Sequence, residues 1–329
     1  MTRRRIPVLP AIALALALLT GAVATTLVFA RETLCAELPC LAGLAPSSRD
    51  RSHRRFDADR AYRYLMDQVA LGPRAPGTPG HAAGRAYLVE ELERWADRVV
   101  VQEFTVHDGQ RSYPMANIVG VLGPDRSPKV LLAAHWDTRP RAEHDPNPDR
   151  RGEPILGAND GASGVAVLLE VARVLHEAPP EVGVIIALFD GEDFGERTDA
   201  MFLGSRHWAR QPVPERPAYG ILLDMVGDAD LEIPIERFSW ERARPVVEKV
   251  WGAAERLGHR AFTRRIGGAV YDDHVPLLDV GIPMIDVIDF DYPYWHTTAD
   301  TVDKTSPESL RVVGEVVLAV VYAERPEAP

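Results

Sequence analysis

Three carboxylates crowd the end of an apolar run in "IIALFDGEDFGE" (residues 185–196), where Asp190, Glu192 and Asp193 follow Phe189 with one glycine among them. Acids packed so closely repel one another unless a cation sits among them or one keeps its proton. Other apolar runs end in the same way. "VLLAAHWD" closes on His135 and Asp137, "YGILLDMVGD" carries Asp224, "PMIDVIDFDYPYWHTTAD" leads to His296, and "GANDGASG" sets Asp160 just before a helical pattern. Taken singly, each has a plain structural reading: an acidic turn, a hydrogen-bonded core histidine, a helix cap. Taken together, histidines and carboxylates at several strand ends suit Zn²⁺ or a similar divalent ion. On that reading Asp193 ligates the metal, Glu192 stays free as a proton shuttle, and Asp137 orients His135 from behind. Trp136 and Trp295 could be packing aromatics, or Trp295 could wall a pocket beside His296.

The elements that must hold these residues follow from periodicity. Residues 57–72 read as a helix with Asp57 as its cap, 72–84 as a Gly/Pro loop, and 85–96 as a second helix. Strands are expected at 99–106, 116–122, 129–137, 182–190, 219–227 and 283–290. Helices are expected at 163–178 and near 203–210, 240–257 and 306–323. The segment 139–155, rich in proline and charge, reads as a surface excursion. Strands that alternate with helices, several of them continuous apolar runs, indicate an α/β domain over residues 55–325. Its mixed, mostly parallel sheet is covered by helices on both faces. In such a sheet ligands gather outside the carboxyl ends of the strands, where the polar residues stand.

Composition narrows the partners. The chain has 329 residues, 46% of them hydrophobic, and a formal net charge of −11. No basic stripe accompanies that charge, which argues against nucleic acid. Residues 6–30 carry no charge and follow three arginines. That run is longer than the core of an ordinary signal peptide and long enough to span a bilayer. Two readings stay open: a signal peptide cleaved after Ala24 or Ala30, or an uncleaved anchor joined by a linker (residues 31–54). Both put the body of the protein outside the cytoplasm. The only cysteines, Cys35 and Cys40, could bridge there. Their position excludes thiol catalysis and thiolate ligands from the main domain.

In order and spacing, His135-Trp136-Asp137, Asn159-Asp160-Gly161, Glu192-Asp193, Asp224 and His296 resemble the motif set of the co-catalytic zinc aminopeptidases. Three stretches, "FDGEDFGERTDAMFLGSRHWA", "DDHVPLLDVGIP" and "YWHTTADT", are closer to the glutaminyl-peptide cyclotransferase branch of that superfamily. The resemblance implies a zinc exopeptidase-like fold and peptide or protein N-termini as substrates. It implies a zinc on Asp160, Asp193 and His296 in both branches. In the aminopeptidases, His135 and Asp224 would hold a second zinc bridged by Asp160. In the cyclases one zinc suffices, Asp224 hydrogen-bonds Asp272, and Glu192 is the general base. Three positions depart from the animal cyclases. Asp193 replaces a glutamate, Asp286 replaces a histidine near the site, and the tryptophan after the acidic pair has no counterpart. The alternatives are a di-zinc aminopeptidase and an inactive peptidase-like binding ectodomain, and the latter predicts lost ligands that are not lost. A serine hydrolase is set aside for want of G-x-S-x-G.

Overall fold

Among the described residues, eight strands form two sheets. They are β1 (Arg98–His107), β2 (Ser112–Leu122), β3 (Lys129–His135), β4 (Gly183–Phe189), β5 (Tyr219–Asp224), β6 (Ile233–Ile235), β7 (Phe262–Ile266) and β8 (Met284–Ile288). The central sheet has the order β1-β2-β4-β3-β5-β8, and β6 and β7 make a small parallel pair. β1/β2 and β2/β4 run antiparallel, while β3/β4, β3/β5 and β5/β8 run parallel. The sheet is therefore mixed, parallel from β4 through β3 and β5 to the edge strand β8 and antiparallel at the β1/β2 side. A computed structural model describes residues 55–326. The expected leader or anchor (1–30), the linker (31–54), and Cys35 and Cys40 lie outside the described residues. Among those residues no helix is long and apolar enough to cross a membrane.

Every residue of β3, β4 and β5 is buried, as their unbroken apolar runs require of strands covered on both faces. Alternation then sorts the side chains. Val130, Leu132, Val184, Ile186, Ile221 and Leu223 face one core. That core is covered by α1 (Ala58–Ala70), α3 (Ala162–Glu177), α6 (Arg244–Leu257) and α8 (Pro307–Ala323). Leu131, Ala133, Ile185, Ala187 and Leu222 face the other core. There they meet Trp208 of α4 (Leu203–Arg210) and Leu277 of α7 (His274–Asp279). The layering matches the sequence-based expectation. Helix α3, buried along 162–175, lies so close to β5 that a Cβ on Gly164 would stand 2.2 Å from the Leu223 carbonyl oxygen.

Several expected boundaries shift, two of them in helices. Helix α2 (Pro79–Trp95) begins inside the expected Gly/Pro loop, capped by the Thr78 side chain with Pro79 in its first turn. The expected helix at 240–257 divides at Ala243 into α5 (Arg237–Arg242) and α6, with a proline opening α6.

Candidate metal centre and cavity

The carboxyl ends of β3, β4 and β5, the turn before α3 and the loop after β8 converge on one buried point. His135, the last residue of β3, places Nε2 3.1 Å from Asp160 Oδ1 and 3.1 Å from Asp224 Oδ1. His296 places Nε2 3.3 Å from Asp193 Oδ1 and 3.7 Å from Asp160 Oδ2. Two triads thus share Asp160, His135–Asp160–Asp224 and Asp160–Asp193–His296, and each brings its donor atoms within 4.8 Å of one another.

The backbone is shaped for this convergence. Gly161 follows Asp160 at φ 98, and a Cβ there would meet the Asp137 carbonyl at 2.7 Å and the His135 ring at 3.2 Å. The three non-glycine residues recorded with positive φ among the described residues are Phe202, Met225 and His296. Phe202 lines the cavity, Met225 follows Asp224, and His296 is itself a candidate ligand. Backbone strain of this kind gathers where surrounding contacts over-determine it.

The donor set fits a divalent cation. Asp160 Oδ2 and Asp193 Oδ2 are buried without hydrogen-bond partners, a cost that a bound ion removes. The acids also show a shortage of positive charge. Burial and the charge of Asp193 push Asp160 up to about 6 and Glu192 well above the usual carboxylate range. Burial and the charge of Asp224 push Asp272 well up. Burial lowers the pKa of the His296 ring, but Asp193 and Glu143 outweigh that and raise it to about 10.

The opening cluster of three acids divides into three roles. Asp190 is fully buried and accepts from the Ala116 N–H at 2.7 Å, with His81 Nε2 at 2.9 Å. It anchors the end of β4. Asp193 stands in the metal-binding triad. Glu192 points into a cavity of ≈250 Å³ that Asp193, Asp224, Asp272 and His296 also line, and its carboxylate belongs to neither triad. Met201, Phe202, Tyr271, Ile288, Phe290 and Trp295 form the apolar wall. Trp295 packs 4.0 Å, ring to ring, from His296.

Asp137 differs from its expected role. Its Oδ1 stands 3.6 Å from His135 Nδ1, too far for a hydrogen bond. The carboxylate instead accepts the backbone N–H groups of Glu192 at 3.1 Å and Asp193 at 3.2 Å, so it positions the acidic pair. Asp286 lies in β8, fully buried, with both oxygens unpartnered and His274 Nδ1 4.0 Å away. Burial and the charge of Asp272 push it well up. It feels the charge of Asp272 and Asp224 and does not line the cavity.

Four positioning residues escape sequence reasoning. Arg139 donates to Asp193 Oδ1 at 3.2 Å and to the carbonyls of Asp193 and Gly195. Glu143 Oε1 lies 3.1 Å from His296 Nδ1. Both belong to the expected surface excursion, which corrects that reading: part of 139–155 is turned inward. Asp300 accepts the N–H groups of Asn159 and Asp160 and the Tyr292 hydroxyl. Arg74, wholly buried, donates to the carbonyls of Gln68, Trp136, Leu156 and Gly157, tying α1 to the turn that carries Asp160. No local pattern marks such contacts, because most of their partners are remote in sequence.

The profile of peptidase family M28 matches residues 117–321, which span this whole constellation. The chain belongs to peptidase family M28. Among solved M28-like structures, glutaminyl cyclase of Tannerella forsythia is 42% identical, superposes with a TM-score of 0.80, and is matched over 82% of this chain and 100% of its own. A leucine aminopeptidase precursor from Bacteroides thetaiotaomicron is 38% identical with a TM-score of 0.80, over 82% of this chain and 98% of its own. Glutaminyl-peptide cyclotransferase of Bos taurus is 27% identical over 286 residues, 74% of this chain and 77% of its own length. These likenesses place the M28 chain in the glutaminyl cyclase branch of the zinc aminopeptidase-like superfamily and mark it as an enzyme.

Proposed function

We propose that this M28 protein is a glutaminyl-peptide cyclotransferase, which converts the N-terminal glutamine of a peptide to pyroglutamate and releases ammonia. The observation that carries the reading is Glu192, a buried carboxylate belonging to neither triad, facing a cavity lined by Asp160, Asp193 and His296. Zinc on those three residues supplies Lewis-acid polarisation of the substrate γ-carbonyl. The chain's own groups do the rest. The apolar wall around Trp295 holds the glutamine side chain and excludes water. Glu192 takes a proton from the α-amine as its nitrogen bonds to the carbonyl carbon (Cδ) of the side-chain carboxamide, then gives that proton to the departing ammonia as the Cδ–Nε2 bond breaks. Its carboxylate is thereby regenerated.

Because the nucleophile belongs to the substrate, no activated water is needed and a single zinc serves. Asp224 and Asp272 both line the cavity, and on this reading Asp272, pushed well up by burial and the charge of Asp224, keeps its proton where no second metal binds. The second reading, a di-zinc aminopeptidase, draws on the other triad, in which His135, Asp160 and Asp224 also converge. Asp272→Ala separates the two. The cyclase reading expects about one zinc per chain after exhaustive dialysis and a strong loss of cyclisation in the variant. Two tightly held zincs, with aminopeptidase activity surviving the change, contradict it. We further propose that residues 1–30 direct the domain out of the cytoplasm, as a cleaved leader or a membrane anchor, where peptide N-termini are its substrates.

A further inference from the structure

The two triads are not equally supported. Arg139 and Glu143 link two residues of the same triad, Asp193 and His296, through a continuous chain of contacts. Arg139 Nη1 donates to Asp193 Oδ1 at 3.2 Å, and its Nε donates to Glu143 Oε1 at 2.8 Å. The same Glu143 oxygen faces His296 Nδ1 at 3.1 Å. A carboxylate can only accept there, so it fixes the imidazole proton on Nδ1 and leaves the Nε2 lone pair toward Asp160 and Asp193. With Asp193 Oδ1 held by Arg139, its buried partner Oδ2 is left free of hydrogen bonds.

The same short segment also grips the turn that carries His296. The His144 N–H donates to the His296 carbonyl at 3.1 Å, and Asp145 Oδ2 accepts the Thr298 N–H at 3.0 Å. That turn has His296 in the left-handed region, φ 54, so its ring direction depends on such bracing. The other histidine differs. His135 Nδ1 is buried with no hydrogen-bond partner, and its nearest carboxylate oxygen is 3.6 Å away.

We propose that Arg139 and Glu143 are positioning residues that make Asp160–Asp193–His296 the zinc-retaining site, the triad through His135 lacking an equivalent brace. This rests on the zinc site proposed above but not on cyclisation, since it is read from metal binding alone. Side chains that hold a metal ligand from behind in this way change metal affinity by roughly 10–100-fold.

The test is zinc affinity of the purified chain, stripped of metal and titrated against a chromophoric chelator. Glu143→Gln should weaken zinc binding about 10–100-fold, while the melting temperature of the metal-free protein stays near wild type. Arg139→Lys should weaken it similarly, and the double variant should lose little more than the worse single change, because the two act as one brace. Asp224→Asn should leave the retained zinc bound. Glu143→Gln affinity within about threefold of wild type overturns the proposal, as does loss of the retained zinc in Asp224→Asn. Fully additive losses overturn the brace as a unit. Should Arg139→Lys fail to fold, Glu143→Gln alone decides.

Discussion

At the scale of single residues, the cluster Asp190, Glu192 and Asp193 shows why neighbouring acids need not share a role. Asp190 is absorbed by His81 and the Ala116 N–H, Asp193 by Arg139 and His296, and Glu192 is left facing the cavity. Proton transfer and metal retention should therefore separate on mutation. Glu192→Gln is expected to keep zinc by elemental analysis and to lower turnover by roughly 10²–10⁴. Near-wild-type turnover in that variant contradicts the shuttle role. The division was legible in part. The types and spacing of His135, Asp160, Glu192, Asp193, Asp224 and His296 point to a metal site because five of them close or follow an apolar strand run and Asp160 stands just before a helix. The contacts of Asp137 were legible only in part, because sequence shows that it neighbours His135 but not that its oxygens reach the backbone of 192 and 193.

At the scale of elements, the wall that carries Asp272 depends on one buried acid outside the centre. Glu236 caps α5 by accepting the N–H groups of Phe238 at 2.8 Å and Ser239 at 2.7 Å. It also accepts the Val270 N–H at 3.0 Å and stands 3.2 Å from His274 Nε2 on α7. Burial alone would raise its pKa, yet His274 and the donated N–H groups bring it down to about 2. A folded-state value below the unfolded one adds stability above about pH 4.5, which is lost as pH falls toward 2. Glu236→Gln should cost about 1–3 kcal/mol at pH 7 and much less near pH 2, by denaturant unfolding of the zinc-stripped proteins. An equal cost at both pH values contradicts this account. The long elements were legible from period and cap, as in α1 behind Asp57 and the apolar runs of β3, β4 and β5. The short ones were not. β6 is three residues with a central proline, and α7 spans under two turns, so neither displays a period. The inward turn of 139–145 was hidden because its charges read as solvated until Asp193 and His296 pair with them.

At the scale of the whole molecule, a buried centre joining β3, β4, β5, the turn before α3 and the loop after β8 couples metal binding to folding. A ligand present at about 100 times its Kd stabilises the native state by about 2.7 kcal/mol. For a domain of this size that corresponds to a rise of roughly 5–10 °C in Tm. Zinc-loaded protein should melt that much higher than chelator-stripped protein, and coincident melting curves contradict a resident zinc. The mixed, mostly parallel sheet and its helical layers were legible as a class, because apolar strand runs alternating with helices leave few ways to cover such a sheet. The choice of reaction is not a property of the layers. It depends on whether the nucleophile comes with the substrate or from water.

That choice is tested most directly by offering the purified protein two peptides that differ only at the first residue, glutamine in one and leucine in the other, at equal concentration with zinc present. The account predicts ammonia release and a blocked pyroglutamyl N-terminus from the glutamine peptide, abolished in Glu192→Gln, and no free leucine from the other. Release of free leucine, with the glutamine peptide left uncyclised, contradicts it and assigns the centre to hydrolysis.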